Sequence, residues 1–260
     1  MTGIELKSDK EIKIMQEGGM ILNNVMTKML SSLKIGVSML ELDNLAETEI
    51  TKSGADPSFK MVPGYKWTIC ACVNDIVVHG IPNSYKARPG DIIGIDCGVF
   101  YRGFHTDSSW SVYLKNPSEK NAKEKENFLQ IGRQALNNSL DQVKEGNYIY
   151  DISEAIQNTV ESGGFNVVKS LIGHGIGRKL HEEPEIPCYV SRPRLETPEI
   201  VPGNVFAVEV IYNMGTSEVV IKRGDGWTIQ TKDGKMSGLF EATVAISSHG
   251  IILLTKKYDS

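Results

Sequence analysis

Four acidic residues stand where acids are expensive to place. Asp96 lies in Ile95-Asp96-Cys97, and Asp107 follows Phe104-His105-Thr106. Glu209 interrupts Phe206-Ala207-Val208-Glu209-Val210-Ile211, and Glu241 interrupts Leu239-Phe240-Glu241-Ala242-Thr243-Val244. Each segment reads as an apolar strand, where an unpaired carboxylate is costly to bury. A hard divalent cation removes that cost, because it seeks oxygen ligands. Asp96 and Asp107 fall on the arms of one hairpin that turns at Tyr101-Arg102-Gly103. If they face each other directly, the turn centres between Tyr101 and Arg102, and their Cβ atoms stand roughly 5 Å apart. The alternative is that one of the two points to solvent as a strand-end charge. Apolar neighbours on both sides weaken a solvent-facing reading for Glu209 and Glu241.

Three histidines complete the candidate set. Gly173-His174-Gly175-Ile176-Gly177 places an imidazole in a glycine-rich loop after the apolar strand Val167–Ile172. Glycines there allow close backbone approach, and no Gly-Lys-Ser/Thr follows to make a nucleotide loop. His181 opens His181-Glu182-Glu183-Pro184, which departs from the H-E-x-x-H zinc helix at Pro184 and Glu185. His79 ends the strand Ile76-Val77-Val78 and begins the loop Gly80-Ile81-Pro82. Any one histidine alone is as well explained by a structural role, and His105 and His249 keep that reading. Four carboxylates with one imidazole make a ligand set for two divalent ions about 3.5–4 Å apart. Such a pair acidifies a bridging water and polarises a carbonyl, which suits amide or ester hydrolysis. Histidines left free beside it can bind substrate or carry protons.

The elements that must position these groups follow from local pattern. Ser8-Asp9-Lys10-Glu11 is a capping box for a helix reaching about Leu33, with a disturbance expected at Gly18-Gly19. Ser38-Met39-Leu40-Glu41 opens a second helix, whose Leu42, Leu45, Ala46 and Ile50 keep amphipathic spacing. Strands are expected at about 68–73, 76–79, 91–100 and 104–114, then helices at about 118–144 and 150–162. Strands return at about 166–172, 204–212, 218–223, 226–231, 238–247 and 250–255. The class is α+β, with helices beside mostly antiparallel strands.

An internal repeat organises the chain. Pro89-Gly90-Asp91 through Asp96 reads against Pro202-Gly203-Asn204 through Glu209 at an offset of 113, so one candidate acid falls on another. Ile152, Ala155, Ile156 and Val160 repeat the second helix's spacing 110 residues on. One catalytic domain over 1–260 is expected, in two related halves of about 1–115 and 116–260.

Composition narrows the function classes. The 260 residues are 40% hydrophobic and 23% charged, with a net charge of −4. That balance is globular and lacks the basic footprint of a nucleic-acid binder. No apolar run is long enough for a membrane span, and the charged first thirty residues lack the apolar core of a secretory signal. Cys70, Cys72, Cys97 and Cys188 form no C-x-x-C pair, and reduced buried thiols fit a cytoplasmic protein.

Taken together, these stretches resemble the type I methionine aminopeptidases, metallopeptidases of the pita-bread fold. The resemblance covers nearly the whole chain, from Ile4-Glu5-Leu6-Lys7-Ser8 through Val73–Pro82, Gly90–Asp96, Gly103–Asp107 and Gly173–Arg178 to Asp225-Gly226-Trp227-Thr228 and Phe240-Glu241. Aminopeptidases are among the enzymes that use two-metal sites, a general association that these residues do not themselves establish. The resemblance implies two pseudo-symmetric halves covered by helices, with the metal site in the central cleft. It implies Asp96, Asp107, His174, Glu209 and Glu241 as ligands of two divalent ions (Co, Mn, Fe or Zn), with Asp107 and Glu241 bridging. Glu209 is then general base, His79 meets the scissile amide nitrogen, and His181 meets the peptide carbonyl oxygen. Tyr65, Cys70 and Trp227 map onto the methionine pocket, with Leu180 at a position often aromatic. For Cys70 a packed core thiol is the alternative.

The implied reaction is removal of the initiator methionine from nascent chains with a small second residue, at the ribosome, by a cytoplasmic monomer without nucleic-acid or membrane partners. An X-Pro peptidase and a non-catalytic binding module of the same fold are the competing readings. No zinc-finger extension and no separate N-terminal domain accompany the matching stretches. Ala242-Thr243 and Val210-Ile211 depart from the family's usual His-Thr and Pro-Met, which is expected to alter the surroundings of the metal.

Overall fold

Local chemistry starts the helices where the sequence places them. In a computed structural model describing residues 3–116 and 118–258, α1 spans Asp9–Ser32 and α2 spans Met39–Lys52. The ends of the expected domain, residues 1 and 260, and Pro117 beside the boundary of its halves lie outside the described residues. Both capping boxes form: Ser8 N–H donates to Glu11 Oε2 at 2.8 Å, and Ser38 N–H donates to Glu41 Oε2 at 2.8 Å. Helix α1 is not disturbed at Gly18-Gly19. A Cβ on Gly19 would stand 2.2 Å from the Leu254 carbonyl oxygen, so that glycine lets the chain end pass against the helix.

The strands are β1 (Asp56–Pro57), β2 (Ile69–Val73), β3 (Ile76–Val78), β4 (Ile92–Tyr101) and β5 (Phe104–Tyr113). After α3 (Ala122–Leu140) and α4 (Ile149–Ser162) come β6 (Asn166–Val167), β7 (Ile172–Gly175), β8 (Glu182–Pro187) and β9 (Val205–Asn213). The last four are β10 (Val219–Ile221), β11 (Ile229–Thr231), β12 (Ser237–Ser247) and β13 (Gly250–Leu253). The strand expected over 166–172 is therefore two short pieces, and β8 was not anticipated because Pro184 and Pro187 argue against a strand. Pro is tolerated there because β8 ends the sheet's path, β1-β4-β5-β12-β9-β7-β8.

That ten-stranded sheet is antiparallel at every described pair, and a smaller sheet joins β10, β11 and β3. Helix α1 packs on β4 and β5, and α3 packs on β9 and β12. Between helices and sheet lies a core that includes Ile95, Trp110, Phe128, Val208, Val210, Phe240 and Ala242. The repeat in the sequence reappears as repeated hydrogen bonds. Gly36 N–H donates to Ala87 C=O at 2.8 Å, and Gly146 N–H to Ile200 C=O at 3.1 Å. Asp91 accepts from Arg88 N–H and Asn204 from Val201 N–H, each at 2.8 Å.

Candidate metal centre

Strand register brings the acids together. β4 and β5 set Asp96 opposite Ser109, and β9 and β12 set Glu209 opposite Glu241. Between these hairpins Trp110 pairs with Phe240, which puts Ser109 opposite Glu241. Asp96, Ser109, Glu241 and Glu209 thus form one row across four strands. Side chains alternate along a strand, so the row shares a face, as do residues two steps away. Asp107 lies two residues before Ser109. His174 is opposite Ala207, two residues before Glu209. All five side chains therefore face the same side of the sheet, away from the helices.

The direct Asp96–Asp107 opposition expected from sequence does not occur. Asp107 faces Gly98, because the turn is the two-residue Arg102-Gly103, with φ of 48° and 93°. Positive φ at both positions gives the turn whose twist matches an antiparallel pair, and Gly103 supplies the second position at little steric cost. The two acids are diagonal neighbours on one face. His174 likewise sits in β7 and not in a loop after it. A Cβ on Gly173 would come within 2.6 Å of Ala207 O, and one on Gly175 within 2.2 Å of Glu183 O, so these glycines serve close strand packing.

The cluster has the electrostatics of a cation site. One ligand atom each from Asp107, His174 and Glu241 lie within 4.8 Å of one another, and all three residues are buried. Burial, then the Glu209 charge, pushes Asp96 up to about 8. Asp107, Glu209 and Glu241 also stand well above the ordinary carboxylate range, through burial first and neighbouring carboxylates second. Asp96 Oδ1 and Glu241 Oε1 are buried without a hydrogen-bond partner among the described residues. His174 donates from Nδ1 to the Gly175 carbonyl at 2.9 Å, leaving the Nε2 lone pair 3.6 Å from Glu209 Oε1. Burial, then His181, holds His174 down to about 3, so its imidazole is neutral. Orphaned carboxylate oxygens beside an aimed, neutral imidazole fit a divalent ion.

A cavity of about 110 Å³ joins the acids to an apolar wall. All ten expected site residues line it: Asp96, Asp107, His174, Glu209, Glu241, His79, His181, Tyr65, Cys70 and Trp227. Phe59, Val62, Val78 and Leu180 complete the lining. Tyr65 donates to Ile69 C=O at 2.8 Å, its hydroxyl lies 3.3 Å from Cys70 Sγ, and its ring meets Trp227 edge-on at 5.2 Å. His79 adopts φ of 55°, an uncommon left-handed backbone for a residue with a side chain. His181 stacks edge-on against His174 at 4.4 Å. Burial lowers the pKa of both His79 and His181, with His181 adding to the effect at His79. Val78, His79, His174, His181 and Glu209 also line an outer groove of about 550 Å³, bordered by Glu5, Lys179, Glu183 and Glu185.

Two supporting residues escaped the sequence reading. Asp43 Oδ1 accepts from Thr68 N–H at 2.8 Å and Ile69 N–H at 3.1 Å, fixing the backbone that carries Tyr65 and Cys70. Its signal was an acid on the stripe of Ala46 and Ile50. Thr243, the second, holds the backbone of Asp107. Of the departures, Ala242 and Val210 face the helix-side core, and Ile211 borders the groove.

The fold and cluster define a metal-dependent hydrolase. Residues 13–247 match Metallopeptidase family M24, and the chain belongs to that family. It is 41% identical over 252 residues to a methionine aminopeptidase of Clostridium perfringens, covering 97% of this chain and 98% of that protein. Methionine aminopeptidase 1 of Bacillus subtilis is 40% identical, covering 96% and 98%. The crystal structure of a methionine aminopeptidase from Thermotoga maritima superposes with a TM-score of 0.90 at 33% identity, covering 98% of this chain and all of that one. A prolidase from Pyrococcus furiosus, at 19% identity and TM-score 0.75, shares the fold. The architecture is the pita-bread fold, with divalent metal binding inherent to the family.

Proposed function

We propose that this chain is a methionine aminopeptidase that removes the initiator methionine from nascent polypeptides whose second residue is small. The carrying observation is the convergence of four carboxylates, those of Asp107 and Glu241 buried, and a neutral imidazole on a small, aromatic-walled cavity. Full-length similarity to methionine aminopeptidases supports this reading over an X-Pro peptidase, since the prolidase likeness extends to fold alone. The intact acid set disfavours a non-catalytic module.

Asp96, Asp107, His174, Glu209 and Glu241 would hold two divalent ions. Oxygen donors with one imidazole suit Mn, Fe, Co or Zn, and availability selects among them. When bound, such a pair supplies Lewis acidity that polarises a carbonyl and lets a water ionise near neutral pH. Phe59, Tyr65, Cys70 and Trp227 receive the methionine side chain, and the Cys70 sulfur offers a soft wall to a thioether. Neutral His79 hydrogen-bonds the scissile amide nitrogen, and neutral His181 the peptide carbonyl oxygen. A Glu209 carboxylate oxygen accepts the proton of the attacking water and returns it to the leaving amine. The rest of the substrate leaves through the outer groove. The two halves work as one catalytic domain, in a cytoplasmic monomer that meets its substrates at the ribosome.

The test is release of methionine from Met-Ala-Ser and Met-Lys-Ser by protein freed of metal and reloaded with Mn²⁺, Fe²⁺, Co²⁺ or Zn²⁺. Metal-dependent release from the first peptide and little from the second is expected. No metal-dependent release, or cleavage confined to X-Pro dipeptides, overturns the reading.

A further inference from the structure

The row of acids crosses an unusual seam in the sheet. β5 and β12 lie side by side, yet Trp110–Phe240 is their only ladder pair among the described residues. On either side of that pair, hydroxyls replace backbone bonds. Ser111 Oγ accepts from Leu239 N–H at 3.0 Å and donates to Leu239 C=O at 2.9 Å. Thr243 Oγ1 accepts from Asp107 N–H at 3.0 Å and donates to Asp107 C=O at 2.7 Å. Both contacts keep the register of Trp110 and Phe240, so each hydroxyl stands between residues that an ordinary ladder would join directly.

Thr243's own backbone is committed elsewhere. Its N–H donates to Thr255 Oγ1 at 2.8 Å, and its carbonyl accepts from Leu254 N–H at 2.9 Å. The hydroxyl is therefore what ties this residue to Asp107. Through its single proton and one lone pair it satisfies both backbone groups of a buried candidate ligand.

We propose that Thr243 is a positioning residue: its hydroxyl spaces β5 from β12 and so sets the separation of Asp107 and Glu241 across the metal pair. This rests on the two-ion reading above. An ordinary ladder holds strands about 4.7–4.9 Å apart. Here a side-chain oxygen intervenes, taking both backbone groups of the facing residue in place of the partner strand's own N–H and C=O. Ser111 makes the same kind of link at Leu239, so the spacing is kept on both sides of Glu241. Its loss leaves the backbone of Asp107 untouched, whereas loss of the Thr243 hydroxyl leaves that N–H and C=O unsatisfied.

The experiment is calorimetric titration of Mn²⁺ into the metal-free full chain, with thermal melting alongside. Thr243→Val, nearly isosteric, is expected to weaken Mn²⁺ binding by about 10–100-fold, as loss of a group supporting a ligand does. Thr243→Ser keeps the hydroxyl and should bind within about threefold of wild type. Ser111→Ala should melt earlier while also binding within about threefold. Wild-type affinity in Thr243→Val overturns the proposal, as does an equal loss in Ser111→Ala, which would mark general loosening. Should Thr243→Val not fold, Thr243→Ala against Thr243→Ser gives the same contrast. If wild type itself binds no Mn²⁺, the metallopeptidase reading fails; if it binds and Thr243→Val matches it, the positioning role alone fails.

Discussion

Replacing Asp107 by Asn should stabilise the metal-free protein and abolish its response to metal. Ligand atoms of Asp107 and Glu241 lie within 4.8 Å in a buried cluster, so two unit charges there repel by about 3.5 kcal/mol at an effective dielectric of 20. The metal-free protein escapes only by retaining protons. Holding one at pH 7 on a carboxyl of ordinary pKa near 4 costs about 4 kcal/mol. Either way, the empty cluster carries several kcal/mol of destabilisation. Asn is nearly isosteric, removes one charge, and keeps an oxygen for the Ser108 N–H that Asp107 Oδ1 accepts at 2.9 Å. A gain of about 2–4 kcal/mol corresponds to a Tm higher by roughly 10 °C for a chain of this size. Mn²⁺ at a hundred times its Kd should stabilise wild type by about 2.7 kcal/mol and leave the variant unmoved. Scanning calorimetry of chelator-treated protein, before and after Mn²⁺, reads both effects. A metal-free variant melting at or below wild type would refute the repulsion, and a retained metal shift would refute the ligand assignment.

Other perturbations reach different parts of the site and its support. His105, buried with Nδ1 2.9 Å from Ser58 Oγ, is held down to about 4 by burial, against an ordinary 6.5. The unfolded chain therefore takes up this proton first, so stability should begin to fall as pH drops through 6.5 and this loss should finish near 4. Melting curves for His105→Asn should be flatter over that window, and an unchanged slope would count against the assignment. Gly19→Ala puts a Cβ 2.2 Å from a backbone oxygen, and the strain should outweigh alanine's helix preference of about 1 kcal/mol. Its Tm should fall by a few degrees; a rise means the chain end yields freely. Tyr65→Phe removes the donor to Ile69 C=O, beside Cys70 Sγ, worth about 1 kcal/mol. KM for Met-Ala-Ser should rise several-fold with kcat held, whereas a fall in kcat alone would place Tyr65 in the chemistry.

The chain's local features were readable residue by residue. Ser8 with Glu11 and Ser38 with Glu41 announced two helices, because a capping box needs only four consecutive residues. The 113-residue offset placed Glu209 against Asp96, and its turns recur as equivalent bonds at Asp91 and Asn204. Errors arose where a contact partner lay far away. Gly18-Gly19 reads as a helix defect without Leu254, the neighbour that needs Gly19, and Asp43 has no visible role without Thr68 and Ile69.

By itself, then, the sequence singled out the acids that must find a partner, since an acid inside an apolar strand is costly wherever that strand goes. It did not determine their geometry. Asp96 and Asp107 became diagonal neighbours because Arg102 and Gly103 make the turn. Glu209 met Glu241 through the ladder of β9 and β12, and Asp107 was set against Glu241 by a hydroxyl 136 residues away. Register between distant strands depends on packing against α1 and α3 and on bonds across the seam. Those terms exist only once the chain has closed on itself, so only the tertiary structure could turn four costly acids into one site.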